Sequence, residues 1–329
     1  MTSPGMFHSI LSGEMERFLS HKRAAGRRYR TEESALRLLD RYLVEQHIAR
    51  VHEITPSLVD AFLTSRPRKR PRSFNHLLGA TRLLFSWLVQ QGFMPQSPVH
   101  TRPRRQTAQR LPFIFDLPVA RRLLHVAAEL PDNPRTPLRG MTYRTVFALL
   151  YGLGLRVGEV TRLCVRDVDF ERQLLVIRES KFYKSRLAPF GPMMADLLRC
   201  FLQARTRCGT DLTPDSPLFS FHRKRPINPC TISQTFHRLV PRLSINLTAG
   251  VSSPRLHDLR HSFAVGTLLR WYRAGINPQD RLLRLSTFLG HVDPMSTAIY
   301  LTVNDALLRE ANSRFESFVQ PVLQRRAGS

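Results

Sequence analysis

The chain has 329 residues, and its 50 lysine and arginine side chains outnumber its 25 aspartate and glutamate side chains. The formal charge of +25 indicates a polyanionic partner, while 42% hydrophobic and 23% charged residues exclude a disordered or fibrous protein. Neither an apolar run of about 18 residues nor the apolar stretch of a signal peptide is present. We therefore expect a soluble, cytoplasmic protein with no membrane partner.

Positive charge extends along the whole sequence. Residues 1–110 carry 19 basic and 8 acidic side chains, and residues 111–329 carry 31 and 17. A membrane-binding protein would more often concentrate its charge in an amphipathic helix at one end. Only five of the 50 basic residues are lysines, and the planar guanidinium of arginine suits phosphate. Both halves are therefore expected to bind one nucleic acid.

Residues 1–100 are predicted to form a helical DNA-binding domain. Apolar side chains recur three to four residues apart from Phe7 to about Val99. Thr55 followed by Pro56 predicts an N-cap and a helix that runs through Phe62.

Two segments in the first third of the sequence are both basic and rich in proline. Residues 66–72 are predicted to be non-helical, and they form either a solvated loop or a phosphate-contacting connection. Residues 101–112 have the composition of a linker between domains. The side chains predicted to contact DNA in these segments are Arg66, Arg68, Lys69, Arg70, Arg72, Arg102, Arg104 and Arg105.

Residues 113–329 are predicted to form a second, mainly helical domain with one small antiparallel sheet. Strand patterns at residues 168–170, 174–177 and 187–190 predict a meander. Helices are predicted at residues 116–130, 140–152, 192–206, 229–239, 258–274, 281–290 and 303–318. The predicted fold class is therefore α+β with helices in the majority.

Four clusters in this second domain carry side chains suited to chemistry at a phosphate. They contribute Arg156 within GLRVGE, Lys181, Lys184 and Arg186 within SKFYKSR, His257 and Arg260 within HDLRH, His291 within LGH, and Tyr300 nine residues later. Taken alone, these residues would more often have a structural role than a catalytic one. Together they form a phosphoryl-transfer set that needs no metal, because arginine stabilises phosphate oxygens, lysine or histidine moves protons, and tyrosine can act as nucleophile.

The order and spacing of these residues resemble the tyrosine recombinases, also called phage integrases. The resemblance covers about residues 111–320 as the catalytic domain, and the first 100 residues resemble the core-binding domain of that family. It implies the catalytic set Arg156, Lys181, His257, Arg260, His291 and Tyr300, with Tyr300 as the nucleophile. Lys184 and Arg186 are expected to be further DNA contacts on the hairpin.

The resemblance also implies how such a protein works. Two domains would form a C-shaped clamp around duplex DNA, and the reaction would pass through a 3′-phosphotyrosine link and a Holliday junction held by four protomers. No metal, ATP or other cofactor would be needed. A mobile-element integrase at the nucleoid, with or without partner recombinases, is the expected role, and residues 303–318 would either dock on a neighbouring protomer or pack on their own domain.

Three alternatives remain open from the sequence. A type IB topoisomerase uses similar chemistry without a partner duplex, and an architectural DNA-binding protein would use the arginines for phosphate contacts alone. A zinc hydrolase would use His257, His261 and His291. HDLRH, however, differs from the HExxH zinc motif by an aspartate in place of the glutamate base and by Arg260 beside the metal.

Overall fold

The computed structural model describes residues 7–26, 29–105, 111–178, 185–209, 212–221, 225–290 and 295–298. The chain divides into two compact units, Met1–Gln109 and Arg110–Ser329. This division lies within residues 101–112, the predicted linker.

The first unit is built from helices that bury one apolar face each. They are α1 (Ser12–Ala24), α2 (Arg30–Glu45), α3 (Pro56–Ser65) and α4 (Pro71–Gln90). Leu36 of α2, Phe62 of α3 and Phe85 of α4 have no exposed surface, because apolar residues three to four apart share one helix face. Phe18 of α1 contacts Trp87 of α4 edge to face, with ring centroids 5.7 Å apart.

Prolines mark the beginnings of α3 and α4. The Thr55 hydroxyl accepts a hydrogen bond from the backbone N–H of Leu58 at 3.3 Å, which confirms the predicted N-cap. The prediction that residues 66–72 are non-helical is wrong for Pro71 and Arg72, since α4 begins at Pro71. A proline fits the first helical position because the N–H that it lacks would have no intrahelical partner there.

The second unit combines helices with one small sheet, as the predicted fold class requires. Its helices are α5 (Leu117–Ala128), α6 (Arg139–Gly152), α7 (Val157–Val160), α8 (Pro192–Arg207), α9 (Pro229–Leu239), α10 (Asp258–Arg273), α11 (Pro278–Leu289) and α12 (Met295–Ala298). Helix α6 packs against α5, α8 and α10, and its Val146, Phe147 and Leu149 are completely buried. This helix therefore forms the centre of the unit.

The sheet is a three-stranded antiparallel meander in the order β1 (Val168–Asp169), β2 (Leu174–Ile177) and β3 (Arg186–Pro189). Ile177, the last residue of β2, pairs with Arg186, the first residue of β3. Arg186 therefore lies at one end of β3. Because β3 packs against α11, this residue is close to that helix.

The boundaries of the later elements follow from their caps. Helix α11 begins at Pro278, three residues before the predicted start, because the Asn277 side chain caps it by accepting a hydrogen bond from the backbone N–H of Gln279 at 3.1 Å. The helix predicted at residues 303–318 lies outside the described residues. Over the part of the chain that the structure describes, no helix is both long and apolar enough to cross a membrane.

Candidate active site

Arg260 is a buried cation at the first turn of α10. Only 1% of its surface is exposed. Its Nη1 donates to the carbonyl oxygen of Gly154 at 2.7 Å, and its Nη2 donates to that of Leu289 at 2.6 Å. These carbonyl dipoles replace the water that burial removes from the guanidinium. Arg260 thereby connects α10 with the turn before α7 and with the end of α11.

Arg156 lies on that turn and serves as the N-cap residue of α7. Its Nη1 donates to Oε1 of Glu159 at 2.7 Å, and its Nη2 donates to the carbonyl oxygen of Gly290 at 3.0 Å. The side chain keeps 26% of its surface exposed. Arg156 is therefore held on two sides and open to solvent on another, as a phosphate-binding arginine requires.

Two glycines beside the arginines stand where a larger residue would be strained. Gly154 has φ of +59°, and a Cβ there would lie 2.5 Å from Cδ1 of Phe263. Gly290 has φ of +66°, and a Cβ there would lie 3.1 Å from Nη1 of Arg186. Glycine is favoured at both positions because this backbone region and the close neighbours leave little room for a side chain. The glycines of GLRVGE and LGH thus have a packing role beside the arginines.

Glu159 is the acidic residue at the centre of this site, and its role was not predicted from the sequence. Its side chain is 1% exposed. Oε2 accepts from the backbone N–H of Arg156 at 2.9 Å, and both oxygens accept from Arg186, at 2.9 Å each. Burial raises the pKa of Glu159, but hydrogen bonds and charge from Arg186 and Arg156 outweigh it and lower the pKa to about 2. The signal available in the sequence was the i, i+3 spacing from Arg156, typical of a capping box.

Arg186 is turned into the protein. Its fork contacts both oxygens of Glu159, its Nε donates to the carbonyl oxygen of Phe288 at 2.7 Å, and 9% of its side chain is exposed. The prediction of a DNA contact for Arg186 is therefore corrected, since its donors are used inside the fold.

His257 and His261 form an edge-to-face pair at the beginning of α10. Their ring centroids are 4.7 Å apart, because residues four apart lie on one face of a helix. Although His257 is exposed at the surface, the protein around it removes enough water to lower its pKa to about 4, and the positive charges of His261, Arg260 and Arg156 act in the same direction. His257 is therefore neutral at pH 7 and able to accept a proton.

Asp258, the second residue of HDLRH, has a structural role. It is completely buried and accepts hydrogen bonds from the backbone N–H and from Nη2 of Arg255, at 2.9 Å each. Nε2 of His261 is 3.9 Å from its Oδ1. Burial is the largest influence on His261, and it lowers the pKa of this imidazole, against the opposing charge of Asp258.

The structure thus brings Arg156, His257 and Arg260 together. The other predicted catalytic residues, Lys181, His291 and Tyr300, lie outside the described residues, as does the predicted DNA contact Lys184. His291 directly follows Gly290 in the sequence, and the carbonyl of Gly290 is held by Arg156.

Four of the predicted DNA contacts of the first unit line a cleft of about 640 Å³, namely Arg68, Lys69, Arg102 and Arg104. Its lining residues are Asp60, Leu63, Thr64, Pro67, Arg68, Lys69, Phe74, Thr101, Arg102 and Arg104. The two basic segments, separated in sequence by α4, therefore meet in one place. Arg70, Arg72 and Arg105 are exposed, whereas Arg66 is half-buried and pairs with Glu45 at 3.2 Å.

Arg104 is held by several contacts at the edge of this basic cleft. Its guanidinium carbon lies 3.9 Å from the ring centroid of Phe74. Its Nη1 donates to the carbonyl oxygen of Arg68 at 3.0 Å, and its backbone N–H donates to Oδ1 of Asn75 at 2.7 Å. These contacts fix the segment around residue 104 against the start of α4.

Comparison with known proteins identifies the family. The model of the phage integrase family matches residues 119–306. A Sinorhizobium fredii (strain NBRC 101917 / NGR234) protein with the provisional name integrase/recombinase y4rB is 34% identical over 80% of this chain and 84% of its own length. Tyrosine recombinase XerC of Mesorhizobium japonicum is 28% identical over 80% of this chain and 79% of its own length.

Solved structures show the same fold. The Tn1549 transposon integrase in complex with circular intermediate DNA has a TM-score of 0.63 at 16% identity, covering 92% of this chain and 99% of that one. The XerH site-specific recombinase bound to a palindromic difH substrate has a TM-score of 0.61 at 18% identity, covering 87% and 79%. Together with the family match and the relatives in sequence, this fold establishes that the chain belongs to the phage integrase family and is a tyrosine recombinase.

Proposed function

We propose that this recombinase cuts and rejoins DNA at specific sites through Tyr300. The phenolic oxygen of Tyr300 attacks the phosphorus of a phosphodiester, the bond from phosphorus to the 5′ oxygen breaks, and a 3′-phosphotyrosine link remains. The phenol gives up its proton, and the departing 5′ oxygen receives one. A 5′-hydroxyl from a partner strand reverses these steps, so the energy of the phosphodiester bond is kept.

The observation that carries this proposal is the fixed placement of two arginines beside a neutral histidine. Arg156 is held by Glu159 and Gly290 yet remains partly exposed, and Arg260 is held by two backbone carbonyls. Cations that are already in place stabilise the charge that develops on phosphate oxygens without reorganising during the reaction. The site therefore suits a phosphodiester as substrate.

Because its pKa is low, His257 is suited to accept a proton from Tyr300 rather than to donate one. A neutral imidazole can take the proton of Tyr300 at pH 7, whereas an imidazolium cannot. A bound phosphate would raise the pKa of His257, because a negative charge stabilises the protonated form. We assign the protonation of the 5′ oxygen to Lys181, which can give up a proton as an arginine cannot, and a supporting role to His291.

The basic cleft of the first unit supports a second point of contact with the same DNA. It combines several exposed cations with one acidic residue, Asp60. We propose that residues 1–100 act as a core-binding domain and that both domains hold duplex DNA as a C-shaped clamp. A tetramer in the synaptic complex, a Holliday-junction intermediate and action at the nucleoid in the cytoplasm belong to the same proposal.

The similarity to a transposon integrase and to an integrase/recombinase favours a mobile element as the biological context. Integration, excision or transposition of such an element would each use the same strand exchange. Partner recombinases, if present, would join the same complex.

The experiment that tests the proposal is a suicide-substrate assay. Nicked duplex carrying the end of the element is incubated with the wild type and with Tyr300→Phe, and covalent adducts are identified on an SDS gel and by mass spectrometry. The wild type should attach DNA to the peptide that contains Tyr300, while Tyr300→Phe should bind the DNA and form no adduct.

Two other outcomes would contradict the proposal. Relaxation of supercoiled DNA by the protein alone, with no recombinant product, would indicate topoisomerase activity. Binding with no adduct in the wild type would leave an architectural DNA-binding role.

A further inference from the structure

Three arginines converge on the carboxyl end of α11. Their acceptors are the carbonyl oxygens of three consecutive residues. Nε of Arg186 donates to Phe288 at 2.7 Å, Nη2 of Arg260 donates to Leu289 at 2.6 Å, and Nη2 of Arg156 donates to Gly290 at 3.0 Å. The last carbonyls of a helix have no intrahelical partner and carry partial negative charge, so cations stabilise them. This end of the helix leads directly into His291.

Arg186 differs from the other two arginines in how it is held. Arg156 keeps a quarter of its side chain exposed, whereas Arg186 is nearly buried and contacts both oxygens of Glu159. Oε1 of Glu159 accepts from Arg156 and Arg186 together, at 2.7 and 2.9 Å. One carboxylate therefore lies between an arginine that can reach solvent and an arginine that cannot.

We propose that Arg186 is a positioning residue for strand cleavage, which acts on Arg156 through Glu159 and on the segment before His291 through the carbonyl of Phe288. The inference rests on the proposed function, because it concerns the geometry of the same cleavage step. In this role Arg186 would contact neither the DNA nor Tyr300.

The geometry explains why an arginine is needed. Its fork satisfies two carboxylate oxygens while Nε, on the same plane, reaches a third acceptor. A lysine provides one ammonium group and cannot hold all three acceptors in these directions. Without the fork, the buried carboxylate of Glu159 would depend on Arg156 for its charge partner. Arg156 would then be drawn toward Glu159, away from the phosphate that it has to stabilise.

The first test compares Arg186→Lys with wild type in single-turnover cleavage of the suicide substrate at saturating protein. We expect the rate constant to fall by about 10²-fold, the scale of a 1 Å misplacement in an active site. The Kd for the same DNA should stay within about 2-fold, since a buried side chain contributes no phosphate contact.

A matched control is Arg178→Lys. Arg178 comes directly after β2 and pairs with Asp167 at 2.7 Å, but 53% of its side chain is exposed. This variant also shortens an arginine that is paired with a buried carboxylate, without touching Glu159 or α11. Its cleavage rate should stay within about 2-fold of wild type, because Asp167, its partner, makes no contact with Arg156 or with the end of α11.

A double-mutant cycle separates positioning from a general loss of structure. In the Arg156→Ala background, Arg186→Lys should slow cleavage further by less than about 10-fold, because the main route of its effect has already been removed. The same 10²-fold loss in both backgrounds would show that Arg186 does not act through Arg156.

A second variant covers the case in which Arg186→Lys fails to fold. Glu159→Gln combined with Arg186→Met removes both buried charges at once, and such replacements often leave stability unchanged. We expect this protein to unfold cooperatively, to bind DNA normally and to cleave about as slowly as Arg186→Lys.

The outcomes distinguish the two proposals. If the wild type cleaves DNA and both Arg186→Lys and the double variant cleave it at the wild-type rate, the positioning role of Arg186 is overturned. The proposed chemistry of Tyr300 is then unaffected. No cleavage by wild type, on DNA that it binds, would overturn the proposed function and this inference with it.

Discussion

Arginine is used in two different ways in the two units of this protein. In the second unit, Arg156, Arg186 and Arg260 are held by backbone carbonyls and by one carboxylate, and two of the three are nearly or completely buried. In the first unit, arginines such as Arg102 and Arg104 are exposed along an open cleft.

The difference follows from what each set has to do. A cation that stabilises a transition state must already be in place, so its position is fixed by neighbours that have little freedom themselves. A cation that attracts a nucleic acid needs only to be near a phosphate, where it acts by releasing counterions. Substitutions should therefore change the rate of cleavage in the second unit and the affinity and its salt dependence in the first.

The largest expected effect comes from Arg260→Ala. Cleavage at saturating protein should fall by at least about 10²-fold to 10³-fold, the scale for losing one preorganised donor. The free energy of unfolding should also fall, by about 2–4 kcal/mol, because two buried carbonyls, those of Gly154 and Leu289, lose their donor. Single-turnover kinetics and urea unfolding measure the two quantities separately.

Arg199→Ala is the control in the same unit. Arg199 forms an exposed ion pair with Asp196 on α8 at 3.2 Å, and its guanidinium carbon lies 5.1 Å from the ring centroid of Phe170. Its loss should change stability by no more than about 1 kcal/mol. Equal unfolding midpoints for Arg260→Ala and Arg199→Ala would show that the buried Arg260 does not stabilise the fold. If Arg260→Ala does not fold, Arg260→Lys replaces it in the kinetic comparison.

The next effect concerns the titration of His257. An NMR titration should give a pKa of about 4 in the free protein, and Arg156→Gln should raise it toward the ordinary 6.5, because one of the neighbouring positive charges is removed. Because the pKa of His257 is lower in the folded protein than in the unfolded chain, the unfolded chain takes up a proton at a higher pH as the solution is acidified. The contribution of His257 to stability is therefore complete above about pH 6.5 and is lost as the pH falls toward 4.

His257→Gln tests whether protonation of His257 lowers the stability of the folded protein in acid. This variant should lose less stability than wild type between pH 6.5 and pH 4, since it has no imidazole to protonate. A pKa at or above 6.5 in wild type, unchanged by Arg156→Gln, would show that the arginines do not act on His257.

The sequence predicted most of the secondary structure because apolar periodicity and caps are local properties. Thr55 caps its helix as predicted. Asp116, at the start of the helix predicted from residue 116, also proves to be a cap, since its side chain accepts from the backbone N–H of Val119 at 2.8 Å. The two errors at helix starts, at Pro71 and Pro278, share one feature. Both prolines are the first residue of their helix, a position that favours proline and that was predicted correctly at Pro56.

The site was predictable in its residue types but not in the directions of its side chains. Arg156, His257 and Arg260 were selected by motif and spacing. The inward turn of Arg186 depends on Glu159, which lies 27 residues away in sequence, and on Phe288, which lies 102 residues away. From the sequence alone, an arginine between two strands of a very basic protein is predicted to contact DNA, because its partners inside the fold are distant in sequence.

A smaller effect is expected from Arg104→Ala in the basic cleft. DNA affinity should fall about 3- to 10-fold at low salt, and the slope of log Kd against log salt concentration should decrease by about 1 in magnitude. Cleavage at saturating protein should not change. Arg17→Ala, which removes an exposed arginine paired with Glu14 on α1, is the control and should leave the slope unaltered. A change in the cleavage rate with no change in slope would contradict the division between the two units.

The smallest effect should come from Phe74→Leu, which keeps the charge of Arg104 but removes the ring beneath it. Phe74 is buried, and the guanidinium carbon of Arg104 lies 3.9 Å from its centroid. A cation–π contact of this kind contributes about 0.5–1 kcal/mol at exposed sites. DNA affinity should therefore fall by about 2- to 5-fold with an unchanged salt slope, because the number of phosphate contacts stays the same. In the Arg104→Ala background the substitution should have no further effect on affinity, and an equal loss there would show that Phe74 acts through the packing of α4 and not through Arg104.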